Sequence, residues 1–113
     1  MSMTFSEMLE SQKIFDKNSS MSGRSFYSKI GEDNIHELEH LLVCMVGELG
    51  EFSNILKKVV RGDFPLSEVK GDLDEELVDV FIYLMKIANQ FDVDLEEGYL
   101  QKLEKNKIRF GRR

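Results

Sequence analysis

Four acidic residues fall into two pairs of identical spacing: Glu48 and Glu51, then Glu76 and Asp79. A spacing of three puts the members of each pair on one side of a helix. Successive helical residues turn by about 100°, so Glu48 lies about 60° from Met45 and Glu76 about 40° from Val80, both apolar. Both pairs can thus face inward between neighbouring helices. Four carboxylates meeting in a partly dry space repel one another and are costly to desolvate. A divalent cation removes that cost, and ligation by oxygen alone suits Mg²⁺ or Mn²⁺ better than zinc. The competing reading is that the acids are solvated helix faces with lysines nearby.

The elements that must hold these pairs are two long helices. Leu38, Leu42, Met45, Leu49, Phe52, Leu56 and Val59 recur at alternating gaps of four and three, a heptad-like seam. It starts at Asn34, with Glu37 in the capping-box position, and ends at Arg61-Gly62. A short turn with Pro65 follows; Ser67 caps a brief helical turn, and Gly71 is a weak point. A second seam of Leu73, Leu77, Val80, Leu84, Ile87 and Phe91 marks a helix from about Asp72 to Asn89. Val78, Ile82 and Met85 make it apolar on a second side, as in a central or partner-covered helix. Thr4 with Glu7 opens a first helix, and Asp94 with Glu97 opens the last, ending near Phe110. Residues 16–34 read as a long loop with an extended or helical turn. The expectation is a single all-α domain over 1–113, with a short helix and loop in 1–33 and the catalytic helices in 34–110. The architecture is an antiparallel bundle of about four to five helices, assembled as an oligomer, at least a dimer, because the third helix has more apolar surface than its neighbours can cover.

Composition narrows the function classes. The 113 residues carry a net charge of −6, and the acidic pI of about 4.9 argues against a nucleic-acid polymer as partner. There is no apolar run of membrane-spanning length, and the first ten residues lack the pattern of a secretory signal. A single cysteine, Cys44, excludes an internal disulfide and a cysteine-built zinc site. The expected compartment is the cytoplasm.

Three segments in order, Gly47-Glu48-Leu49-Gly50-Glu51-Phe52, Asp74-Glu75-Glu76-Leu77-Val78-Asp79-Val80 and Lys102-Leu103-Glu104-Lys105-Asn106-Lys107-Ile108-Arg109, resemble the MazG-like family of all-α nucleoside triphosphate pyrophosphohydrolases. The 24 residues between Glu51 and Glu76 fit the family pattern of E-x-x-E, a variable gap, then E-x-x-D. The likeness spans about Glu37 to Arg109, and it implies a homodimer or homotetramer. It implies that Glu48, Glu51, Glu76 and Asp79 bind Mg²⁺, with Mn²⁺ as substitute. It also implies cleavage of a (deoxy)nucleoside triphosphate to monophosphate and pyrophosphate, clearing unwanted nucleotides. Glu48 or Glu51 is the candidate base. An alternative is phosphoribosyl-ATP pyrophosphohydrolase, which shares fold and acidic pattern; another is a noncatalytic helical interaction protein.

Other residues have two readings each. Tyr83, four residues after Asp79, is a substrate contact by the resemblance or a core-edge tyrosine. Lys102, Asn106 and Arg109 share a helical face suited to triphosphate oxygens, although basic residues at a helix end also complement its dipole. Six of the 15 positive charges lie in the last 12 residues; Lys57, Lys58 and Arg61 serve likewise. His36 and His40, one turn apart, are a zinc pair or, more in keeping with their setting, surface histidines. Cys44 is a packed thiol. With no tryptophan in the chain, base stacking of the kind some relatives use falls to Phe26, Tyr27 or another aromatic.

Overall fold

The computed structural model describes residues 2–111; Met1, Arg112 and Arg113 lie outside the described residues, and with them part of the basic C-terminal run. The fold is all-α. Its helices are α1 (Phe5–Lys17), α2 (His36–Arg61), α3 (Leu66–Gln90) and α4 (Leu95–Phe110), with one two-stranded hairpin, β1 (Ser20–Met21) and β2 (Arg24–Ser25), and a 3-10 turn over Glu32–Asn34.

Local chemistry accounts for most boundaries. Thr4 and Glu7 form the expected capping box: the Glu7 amide donates to Thr4 Oγ1 at 3.1 Å and the Thr4 amide donates to Glu7 Oε1 at 2.9 Å. Asp94 caps α4 by accepting from the Glu97 amide at 3.0 Å. Gly62, at φ 91°, closes α2 in the left-handed conformation that costs glycine nothing. Two boundaries differ from expectation. Asn34 does not cap α2; its side chain accepts from the Gly31 amide at 2.8 Å and donates to the Lys29 carbonyl at 3.0 Å. Glu37 instead accepts from Arg24 at 2.9 Å. Helix α3 starts at Leu66 and runs unbroken through Gly71, because Pro65 suits the entry to a helix and neighbours override one glycine.

Residues 16–34 are also more ordered than a plain loop. Ser22 and Gly23, at φ 54° and 78°, make the two-residue turn that a tight hairpin requires. Gln90, at the end of α3, then staples the segment down. Its Nε2 donates to the Phe26 carbonyl at 3.1 Å, its Oε1 accepts from the Ser28 amide at 3.2 Å, and its own carbonyl accepts from the Ile30 amide at 2.7 Å. Asn89 donates to the Leu9 carbonyl at 2.9 Å and ties α1 to α3.

Packing is concentrated between α2 and α3, with α1 laid on α3. Among the described residues only Ile30, Leu41, Leu73, Met85 and Ala88 form a buried apolar core. Half of the α2 seam faces outward: Leu42, Leu49 and Leu56 are exposed, while Met45 and Phe52 are half-buried. Helix α4 stands largely free. Its tie to α1 is the Ser6 hydroxyl donating to Glu96 at 2.7 Å, and Tyr99, Leu100, Ile108 and Phe110 are exposed. The radius of gyration, 17.3 Å, exceeds the roughly 13 Å of a compact chain near this length.

The Gln90 staple yields a prediction. Gln90→Ala leaves a buried amide and carbonyl without partners and should lower stability by about 1–3 kcal/mol. Urea unfolding of the variant against the parent chain measures it; an unchanged midpoint would show that the staple is dispensable.

Candidate metal centre and adjoining cavity

The seam between α2 and α3 brings the two acidic pairs face to face. Oxygen atoms of Glu48, Glu76 and Asp79 all lie within 4.8 Å of one another. These three side chains are half-buried, whereas Glu51 is exposed and stands outside that group. Glu51 is near enough for its charge to act on Glu76. Glu76 Oε2 is shielded from water and has no hydrogen-bond partner. Charged carboxylates carry no proton to place between them, so this oxygen is answered either by a shared proton or by a cation.

The titration of Glu76 reflects this conflict. Its carboxyl is pushed up to about 7, first by sharing a hydrogen bond with Glu48, then by loss of water, then by the charges of Glu51, Glu48 and Asp79. An oxygen-only cluster with one orphaned oxygen and mutual repulsion fits a hard divalent cation.

Tyr83 stands beside the cluster. Its hydroxyl is held above the usual phenol value by burial, then by the Cys44 thiol, then by the charges of Glu48 and Asp79. It therefore remains a protonated donor. Cys44 is a free, half-buried thiol whose sulfur lies 3.7 Å from His40 Nε2. His36 lies 3.4 Å from Glu37. The two histidines thus have separate neighbours and belong to no cluster of three or more metal ligands among the described residues.

A cavity of about 450 Å³ adjoins the cluster and is lined by Glu48 and Asp79. Its apolar lining comes from Phe15, Phe26, Ile82 and Tyr83, and its remaining polar groups are Gln12 and Lys86. A second cavity of about 380 Å³ shares Phe26, Tyr83 and Lys86 and adds Arg24 and His40. The structure thus sorts the two aromatic candidates. Phe26 packs on Phe15, with ring centroids 6.5 Å apart, and lines both cavities. Tyr27 lines neither; Lys13 and Lys17 sit over its ring.

Lys102, Asn106 and Arg109 are exposed on α4 and line neither cavity. Arg109 lies over the Phe110 ring at 4.8 Å. Within one chain they are not brought to the acids. Arg61 is held by Asp63, each Nε–O distance being 3.1 Å. Sequence reasoning missed Gln12, Phe15 and Lys86. The one signal available was the spacing of Lys86, three residues after Tyr83 and seven after Asp79, on the same helical face.

The molecule is therefore an all-α bundle whose central helix pair presents a metal-competent acidic cluster beside an aromatic-lined cavity. No family model matches the chain, and no solved structure matches it. It is 36% identical over 94 residues to the gene 37 protein of Mycobacterium phage L5, covering 78% of this chain and 82% of that protein. The chain belongs to one family with that phage protein. It is also a distant homologue of dCTP pyrophosphatase 1, at 31% identity over 83 residues for the mouse protein and 32% over 83 residues for the human one. Each of these matches covers 69% of this chain but 48% of the pyrophosphatase, so the chain spans about half the length of those relatives.

The raised Glu76 value has a direct consequence for stability. Unfolding returns the carboxyl to its ordinary 4.5. The metal-free fold favours the protonated form, so it loses stability as pH rises from about 4.5 to about 7 and levels off above. Without divalent cation the chain should be more stable near about pH 5 than about pH 8. Glu76→Gln should flatten that difference, and added Mg²⁺ should stabilise most at the alkaline end. Urea unfolding at the two pH values decides it; an unchanged slope in the variant would dissociate Glu76 from the effect.

Proposed function

We propose that this chain is a MazG-like nucleotide pyrophosphohydrolase that hydrolyses (deoxy)nucleoside triphosphates to monophosphate and pyrophosphate with Mg²⁺ in the cytoplasm. The observation that carries this reading is the Glu48, Glu76 and Asp79 cluster, with its orphaned oxygen, opening on an aromatic-lined cavity. The distant dCTP pyrophosphatase relatives support the same reaction class.

Glu48, Glu76 and Asp79 would hold the cation. Bound there, it supplies charge neutralisation for the substrate phosphates and Lewis acidity toward them. Glu51, outside the cluster, is the carboxylate free to take a proton from the attacking water. The water oxygen ends on one of the two products, and the broken phosphoanhydride oxygen leaves with the other. Tyr83 donates its hydroxyl to a substrate oxygen at the cluster edge. Phe26 offers its face to the base.

Asp79→Asn should abolish turnover with the fold retained. Glu51→Gln should lower kcat by about 100-fold or more, the scale of a lost general base, while Mg²⁺ binding measured by calorimetry is kept. Magnesium-dependent pyrophosphate release from a triphosphate panel including phosphoribosyl-ATP is the primary test. No release from any member would overturn the enzymatic reading, and release from phosphoribosyl-ATP alone would transfer it to that reaction.

The active assembly is a homodimer or larger, and α4 acts in trans. Three observations support this: the outward half of the α2 seam, the unpacked α4, and the match between a basic helix end and an acidic groove. In this arrangement Lys102, Asn106 and Arg109 of one protomer bind phosphate at the acids of the other. Glu76→Gln and Lys102→Ala chains should each be impaired alone, and co-refolded mixtures should regain activity, since some sites then carry neither defect. No recovery, or a folded monomer by sedimentation, would refute the trans arrangement.

A further inference from the structure

The most deeply buried charged group in the molecule lies outside the acidic cluster. Asp16, at the end of α1, is fully buried. Its Oδ1 accepts from Lys86 Nζ at 2.7 Å and from Gln12 Nε2 at 3.0 Å. The Lys86 side chain is 12% exposed. Its ammonium lies 5.1 Å from the Phe26 ring centroid and 5.8 Å from that of Tyr83. Burying such a pair is costly, and an apolar pair would serve packing at least as well. Lys86 also lines both cavities.

We propose that Lys86, fixed by Asp16, reads the nucleobase in the cavity beside the acidic cluster, and that it selects bases bearing a ring carbonyl over adenine. This rests on the nucleotide reading above and adds its base preference. An ammonium is a donor only, with three hydrogens. Asp16 accepts one, and no other protein acceptor engages Lys86 among the described residues. The flanking Phe26 and Tyr83 rings hold the cation and offer flat apolar surface to a heterocycle. A ligand that fills this place must bring an acceptor on a planar edge. Cytosine, uracil, thymine and guanine each carry a ring carbonyl oxygen with two lone pairs; adenine offers only single-lone-pair ring nitrogens, and its amino hydrogens flank N1 and N7, so it is the weaker acceptor for an ammonium.

A phosphate role for Lys86 is less suited to its place. Lys86 is seven residues past Asp79, about 10 Å of helical rise, with Tyr83 between them. The phosphates belong with the cation at the acids, which leaves the base for the far end of a bound nucleotide. Asp16 is a positioning residue: one oxygen holds both Lys86 and Gln12, so the donor has one place in the cavity.

The test is kcat/KM for dCTP, dTTP, dGTP and dATP in the full chain and in Lys86 variants. Lys86→Met alone strands a buried carboxylate and can fail to fold. The paired variant Asp16→Leu/Lys86→Met removes both charges and remains informative. The parent should prefer each carbonyl-bearing base over adenine by about 5- to 10-fold, part of the range of a charge-assisted hydrogen bond. The paired variant should lose that preference, weakening on the carbonyl bases several-fold more than on dATP. Calorimetric binding of dCMP and dAMP without cation should show the same split. Equal losses on all four nucleotides would reassign Lys86 to phosphate and overturn the proposal, as would a retained preference. Discrimination between dCMP and dAMP without any turnover would sustain the proposal while refuting the hydrolase reading. Equal binding of both would overturn it.

Discussion

Like-charge repulsion across the α2–α3 seam is the constraint on which the rest of the molecule depends. Two helices joined by a four-residue turn bury apolar residues against each other, and Glu48, Glu76 and Asp79 sit at the margin of that contact. Apolar packing brings the helices together, and their own carboxylates oppose it. The Glu76 carboxyl, pushed up to about 7, measures how unfavourable the arrangement is without a counter-charge. Stabilising so strained a cluster for its own sake has no structural return, whereas a cation turns the same repulsion into affinity.

The polar groups inside the molecule serve placement more than cohesion. Gln90 fixes the segment after the hairpin, which sets Phe26 over Lys86. Asp16 fixes Lys86, and Asn89 fixes α1 against the same helix. These bonds all converge on the last two turns of α3. The acids lie two turns earlier on that helix, so one rigid element carries both ends of the cavity. On the proposed reading, a nucleotide held at one end would be registered at the other, and small shifts between elements would not blur it.

The sequence revealed the parts of this arrangement that depend on short-range periodicity. The seams, the i,i+3 acidic pairs, the Thr4 and Asp94 caps and the Gly62 terminator are each encoded within one or two turns. What escaped depends on partners far along the chain. Asp16 and Lys86 are 70 residues apart, and neither residue alone announces a pair. Asn34 looked like a helix cap because its spacing to Glu37 was right, yet a nearer amide and carbonyl captured its side chain. Gly71 reads as a weak point because glycine propensity is local, whereas the packing that overrides it is not. Ser22-Gly23 is a weak hairpin signal with only two strand residues on either side, so it read as loop.

The same distinction explains why half of a clear heptad pattern is left uncovered in one chain. The period of Leu42, Leu49 and Leu56 specifies an apolar stripe but not whose surface covers it. In this chain α1 is laid on α3 and α4 stands largely free, so the stripe and the apolar residues of α4 both remain exposed. Two unpartnered faces on one chain are complementary in principle to the same two faces on a second copy. The charges agree with that pairing. Among the described residues Lys86, already held by Asp16, is the one basic side chain lining the cavity beside the acids, and α4 carries its lysines and arginine from Lys102 onward, away from the acidic first turn. On the proposed trans reading, a seam half used inside a chain fits a site whose acidic end and phosphate-binding end come from different copies.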